Sequence, residues 1–322
     1  MALHKLKKNR FTLIFLCAIV IILAGALLFP SWKSSQNLPL PTAKDYNFYL
    51  ITDFGTAGGT HGNKKQVAQQ MNLLATKVVP RFIITAGDNF HDAAPKSATD
   101  TVWRWNFEQF FALPYIKELK WYAALGNHDY SGDPDAQLAY AKIHPYWIMP
   151  ARYYTFVEKV DDSTSVRVLM LDTSPFLKSY HKRFGDAKFP NTDKQLHWVD
   201  SVLASSHERW KIAIGHHPIY HSGFFSGNTT ELIDQLNPIL KKYKVDFYFS
   251  GHVHTFQHNQ KGGIDYVTTA SAWQSRMVTP WFYTKYWKSA TGFTLCSVNY
   301  HHFSFYFINE KGAVLYSYSR KK

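Results

Sequence analysis

With 322 residues, 46% of them hydrophobic and 17% aromatic, the chain can bury a full-sized core, and a charged content of only 18% excludes a disordered, solvating polypeptide. Lys and Arg outnumber Asp and Glu by 36 to 23, but the excess is scattered rather than gathered into a stripe or arm, so it signals a general attraction for anions and no nucleic-acid binding.

Segment 1–10 holds Lys5, Lys7, Lys8 and Arg10, and the nineteen residues after it, FTLIFLCAIVIILAGALLF (11–29), carry no charge. At about 1.5 Å per residue such a run just spans a bilayer core. The basic cluster in front predicts that 1–10 stays in the cytoplasm and that everything beyond Pro30 is exported. The run reads as an uncleaved membrane anchor or as a signal peptide cut after Ala24-Gly25-Ala26, so the predicted location is extracytoplasmic, tethered or secreted. Residues 30–45, polar and proline-bearing, read as a linker, and 46–322 as one globular domain without internal repeats. Beyond the apolar run only Cys296 remains, which predicts a domain with no internal disulfide.

From residue 46 onward, apolar β-rich runs alternate with amphipathic ones. NFYLITD, RFIITAGD, KWYAALGNHD, VRVLMLD, WKIAIGHHP and VDFYFSGHVH, starting at residues 47, 81, 120, 166, 210 and 245, predict buried strands bounded by polar turns. Helical spacing marks 63–78, 192–206 and 230–243, with Pro238 kinking or dividing the last. This β-α-β order predicts a layered α/β architecture. IDYVTTAS (264–271), GFTLCSVNY (292–300) and 302–319 predict a closing antiparallel meander, its last pair turning at Glu310-Lys311-Gly312.

Five strand ends carry the same kind of polar cargo. They hold Asp53; Asp88 and His91; Asn127, His128 and Asp129; His216; and His252 with His254. Ligands of open α/β sheets bind beyond the carboxyl ends of strands, so these clusters can converge on one site. Carboxylates, imidazoles and an amide form a mixed O/N donor set suited to Mn, Zn or Fe, and there are too many donors for one ion. Two ions sharing a bridging carboxylate would use them all. In GHVH, His252 and His254 on an extended chain would face the same side and reach adjacent ions. His61 and His221 lie in glycine-bearing loops and stay open, while Asn228-Thr229-Thr230, a formal glycosylation sequon, reads as turn chemistry.

In chain order these motifs (D-x-G, GDNF, GNHD, GHxP, GHxH) resemble the calcineurin-like metallophosphoesterase superfamily, most closely its tartrate-resistant (purple) acid phosphatases in their single-domain form. The resemblance runs from about Tyr46 to the C-terminus and implies an α/β fold, a ββ sandwich flanked by helices, with two metal ions and a phosphate ester substrate. It implies that Asp53 and His254 bind one ion, that Asp88 bridges, and that Asn127, His216 and His252 complete the second. His128 would face the substrate and protonate the leaving group, with Asp129 beside it to orient it. Two divalent ions can generate hydroxide near neutral pH and clamp a phosphoryl group for attack, so the implied reaction is hydrolysis of phosphate monoesters.

Two departures from the family pattern stand out. Where purple acid phosphatases carry a tyrosine that binds ferric iron and gives the colour, this chain has His91, and where the wider superfamily has a histidine it has Gly55. His91 is therefore expected to be the missing ligand, and the loss of a phenolate to favour divalent ions at both sites. After GHHP the family's further substrate-facing histidine is absent at its usual spacing, leaving His217 and His221 as substrate-binding candidates. The competing functions are a phosphodiesterase with the same metals and a non-catalytic binding protein on this fold.

Overall fold

The computed structural model describes residues 37–55, 62–91, 93–222 and 227–322. The apolar run 11–29 and His61 lie outside the described residues. Among those described, no helix is long and apolar enough to cross a membrane. Residues 38 and 39 pack on the domain: the Leu38 amide donates to Ser317 Oγ at 2.9 Å, and the Tyr306 hydroxyl donates to the Pro39 carbonyl at 3.0 Å.

Chain order runs β1 (Tyr46–Ile51), α1 (Lys64–Val78), β2 (Phe82–Thr85), β3 (Lys120–Ala123), α2 (Asp135–Ile143), β4 (Trp147–Ile148), β5 (Tyr154–Lys159), β6 (Ser165–Met170), α3 (Lys178–Phe184) and α4 (Thr192–Ala204). It continues through β7 (Trp210–Ile214), α5 (Thr230–Gln235), α6 (Asn237–Lys242), β8 (Phe247–Ser250), β9 (Phe256–Lys261), β10 (Ile264–Thr268), β11 (Thr284–Lys288), β12 (Gly292–Val298), β13 (His302–Asn309) and β14 (Val314–Lys321). Two seven-stranded sheets result, ordered β14-β13-β12-β1-β2-β3-β4 and β11-β9-β10-β8-β7-β6-β5. They form the expected sandwich with flanking helices.

Both faces of β1 are buried, as in a strand covered on two sides. Phe48 packs edge-on to Phe303, which meets Phe247 of the other sheet at 4.5 Å, so this face joins the two sheets. On the opposite face, the Tyr49 hydroxyl donates to the Met71 carbonyl of α1, whose buried stripe Val67, Met71, Ala75 and Val78 recurs at helical spacing. A second core lies between the other sheet and α4–α6, where Leu203, Leu232 and Leu240 pack with Tyr248 and Tyr266. Each fully buried large apolar side chain of this kind contributes about 1.5–3 kcal/mol. Asn191 caps α4 by accepting the Asp193 and Lys194 amides, and Pro238 sits in the first turn of α6, dividing the predicted helix in two.

The predicted C-terminal meander is corrected. β10 runs parallel to β8 in one sheet, whereas β12–β14 form an antiparallel set in the other. The segment between β10 and β12 therefore changes sheets, which periodicity cannot reveal. Strand β9 is unexpected because its FQHNQK sequence is polar. It is nevertheless buried, because its polar side chains find partners: Gln257 donates to the Ser222 carbonyl, and His258 pairs with Asp265 at 2.9 Å.

Candidate metal centre

Because β1, β2 and β3 are parallel neighbours, their carboxyl ends deliver Asp53, Asp88 and Asn127 to one edge. The parallel pair β7 and β8 delivers His216 and the 251–254 loop from the second sheet. Two hydrogen bonds join these halves: His216 Nδ1 donates to the Ala86 carbonyl at 2.9 Å, and the His252 amide donates to Asp53 Oδ2 at 2.8 Å.

Seven non-glycine residues of the described chain have positive φ, and four of them are Asp53 (49°), Asp88 (49°), His252 (70°) and His254 (55°). Such conformations are costly for ordinary side chains and persist where function demands them. They also correct the extended reading of GHVH. His252 and His254 reach the cluster through left-handed turns, and the Val253 amide folds back onto the Gly251 carbonyl at 2.8 Å. Gly126 permits a close approach, since a Cβ there would lie 2.2 Å from Asp88 Oδ1.

The side chains fit a pair of metal ions. Asp53 Oδ1, His91 Nε2, Asn127 Oδ1 and His216 Nε2 are all buried without a hydrogen-bond partner, although each such atom costs about 1–3 kcal/mol. His254 Nε2 lies 3.1 Å from Asp53 Oδ1, and His216 Nε2 lies 3.1 Å from Asp88 Oδ2. With bonds of about 2.1 Å, two ligands at right angles on one ion stand about 3 Å apart. The triplets Asp53–His91–His254 and Asp53–Asp88–His216 each place one donor atom per residue within 4.8 Å of the others. His216 is prepared for this, because with Nδ1–H donated to a carbonyl, Nε2 is the nitrogen left to face an ion.

Electrostatics point the same way. Burial would push the Asp88 carboxyl up, but His216 beside it outweighs that and holds it at about 2. Burial opposes ionisation of Asp53 too, yet His254 and His216 hold it well below the usual carboxylate range. Burial lowers His216, and Asp88 with Asp53 more than reverse this, raising it to about 9. The two carboxylates thus demand positive charge between them. His91 and His252, lowered by burial to about 4 and about 3, are neutral imidazoles at pH 7, the form that ligates.

His128 hangs on the same carboxylate, its amide donating to Asp88 Oδ1 at 2.8 Å and its ring 4.3 Å from that of His91. Asp129 departs from expectation: its carboxylate accepts the amides of Gly126 (2.7 Å), Phe90 (3.0 Å) and Asn89 (3.3 Å), and no bond to the His128 ring is present among the described residues. It ties the β2 and β3 loops together and acts on His128 only through the backbone. His217 has both ring nitrogens engaged, by Thr173 and Tyr180. His221 is buried, and its amide donates to Asn228 Oδ1, which also accepts the Tyr283 hydroxyl, in keeping with turn chemistry at 228–230. Sequence reasoning misses Trp273, whose ring lies 5.2 Å from His91 and 6.3 Å from His254. A signal for it exists, because it follows β10, another parallel strand ending at this edge.

A double sheet with a cluster of carboxylates, imidazoles and an amide at its strand ends defines a metallophosphoesterase, and a family model for calcineurin-like phosphoesterase matches residues 46–256; the chain belongs to that family. More particularly, it is similar to purple acid phosphatase 7 of Arabidopsis thaliana, with 30% identity over 331 residues covering 97% of each chain. It is also similar to tartrate-resistant acid phosphatase type 5 of Homo sapiens, with 30% identity covering 74% of this chain and 70% of that one. Among solved structures, GAP50, described as the anchor in the inner membrane complex of Plasmodium, shares the fold with a TM-score of 0.73 and 22% identity over 86% of this chain and 89% of that one. A purple acid phosphatase from yellow lupin, Lupinus luteus, follows with a TM-score of 0.64 and 16% identity over 88% of this chain and 55% of that one. The protein is a metal-dependent phosphoric ester hydrolase with a dinuclear centre.

Proposed function

We propose that the protein is an exported phosphatase of phosphate monoesters, in which Asp53, His91, His254 and the bridging Asp88 hold one ion and Asp88, Asn127, His216 and His252 hold the other. The observation that carries this is the buried, hydrogen-bond-orphaned donor set around two carboxylates. When bound, two such ions supply Lewis-acid activation of a phosphoryl group and of water. Only two of the proposed ligands are anionic, and Asn127 offers oxygen without charge, so divalent ions (Fe, Mn or Zn) leave a positive centre that attracts a phosphate dianion. His128, partly exposed beside Asp88, faces the substrate and passes a proton from its ring to the leaving oxygen. Trp273 packs beside His91 and His254.

In this reading 1–10 is cytoplasmic, 11–29 an anchor or signal peptide, 30–45 a linker, and 46–322 the catalytic domain outside the cytoplasm. A non-catalytic binding role on this fold is disfavoured here, because a decayed site would have lost members of a set that in this chain stands together. The test compares p-nitrophenyl phosphate with its bis-ester on metal-loaded protein, together with His128→Ala. Monoester turnover should dominate, and the variant should keep its metal while losing about 10²–10⁴-fold in turnover, less for esters with very good leaving groups. A preference for the bis-ester, or equal losses for aryl and alkyl phosphates, would contradict it.

A further inference from the structure

His217 differs from the surrounding imidazoles in that neither of its nitrogens is free. The Thr173 hydroxyl accepts the His217 backbone N–H at 3.1 Å, and the same oxygen lies 2.9 Å from His217 Nδ1. That hydroxyl has a single hydrogen, and Nδ1 is the acceptor it faces. Thr173 is fully buried and its hydroxyl hydrogen has no other acceptor among the described residues, so we take Nδ1 as the acceptor and place the hydrogen of the neutral ring on Nε2. Nε2 in turn lies 3.3 Å from the Tyr180 hydroxyl oxygen, which must accept. The hydrogen of the Tyr180 hydroxyl is then left over, with no acceptor among the described residues.

The location gives this hydrogen a use. Tyr180 stands on α3, and the His217 ring against it packs 4.6 Å from the His252 ring and 4.9 Å from that of His216. The hydroxyl is thus one imidazole removed from the proposed ligands. The Tyr248 hydroxyl, donating to the His217 carbonyl at 2.7 Å, fixes the backbone of the relay. Burial, followed by the charge of Asp88, raises the Tyr180 phenol, so it stays a neutral donor.

We propose that Tyr180 is a substrate-binding residue that donates its hydroxyl hydrogen to a phosphoryl oxygen, with Thr173 and His217 as positioning residues that set the direction of that bond. This rests on the phosphatase reading above. The test uses full-length, metal-loaded protein and inorganic phosphate as the probe, with binding followed by titration calorimetry beside turnover of aryl and alkyl phosphates. Tyr180→Phe should weaken phosphate binding about tenfold and lower kcat/KM by a similar factor for both ester types, with metal content and unfolding temperature unchanged. Thr173→Val, which leaves Tyr180 in place, should reproduce part of the loss, and Thr173→Ser should restore it. Unchanged phosphate binding in Tyr180→Phe overturns the inference, and so does a loss that varies with the leaving group. A wild-type protein that hydrolyses no phosphate ester overturns the underlying reading instead, and the calorimetry still decides the role of Tyr180.

Discussion

Asp88 divides its two oxygens between different tasks. Oδ1 takes the His128 amide at 2.8 Å, while Oδ2 faces His216 at 3.1 Å and His91 at 3.8 Å. Asp88→Ala is therefore expected to abolish turnover and to reduce bound metal to one ion or fewer, measured by elemental analysis. Two retained ions with near-normal turnover would remove Asp88 from the proposed bridge. His91 reaches the same carboxylate and the Asp53–His254 pair with a neutral nitrogen, where the tyrosine-bearing relatives present a phenolate. Without that anion, a divalent ion is the better occupant, and the wild-type protein should lack the phenolate-to-iron colour of those relatives whichever metal it holds. Loaded with iron, His91→Tyr should develop a visible absorption band. A purple wild-type protein would refute this account of the substitution.

The donors are set by loops at strand ends, and those loops tolerate little added volume. A Cβ on Gly126 would stand 2.2 Å from Asp88 Oδ1 and 2.3 Å from the Asp88 backbone nitrogen, so no rotamer change relieves it. Gly126→Ala is expected to fold with a loss of about 1–3 kcal/mol and to bind metal at least about tenfold more weakly. Gly185, at the end of α3, is the control: its φ of 86° strains any side chain, but a Cβ there meets nothing within 4 Å. Gly185→Ala should cost about 1–2 kcal/mol and leave metal binding intact, as checked by circular dichroism and metal titration. Equal metal affinities in the two variants would show that the close approach at Gly126 is unimportant.

For the whole molecule, the site depends on two sheets keeping their relative position, and a buried polar link helps to hold them. His258 of β9 lies 2.9 Å from Asp265 of β10 and 2.9 Å from the Tyr316 hydroxyl of β14, and Arg320 of β14 donates to the other Asp265 oxygen at 2.8 Å. β14 belongs to the opposite sheet, so the network stitches the layers together. Asp265→Asn would leave Arg320 and His258 facing a neutral amide, and a loss of about 2–4 kcal/mol in urea unfolding is expected. Metal content per folded molecule should not change, because the network is separate from the proposed ligands. A stability equal to wild type would mean that apolar packing alone holds the sheets.

Strand ends were legible in the sequence because apolar period and glycine-bounded polar ends are local properties. GDNFH, GNHD and GHHP each reported burial up to a turn and donors just past it, and Pro238 divided a helix through its own missing N–H. The clustering of Asp53, Asp88, Asn127 and His216 followed from parallel β-α-β order, which the alternation of runs already contained. Tertiary structure alone decided what depends on partners distant in the chain. Asp129 bonds to amides rather than to His128, and His252 and His254 turn left-handed because Asp53 awaits the His252 amide. β10 pairs with β8, placing Trp273 at the site. The relay from Thr173 through His217 to Tyr180 joins residues whose sequence spacing carries no pattern. A side chain's burial is written in its neighbours along the chain, but the hydrogen bond it makes is chosen by whichever strand or helix packs opposite.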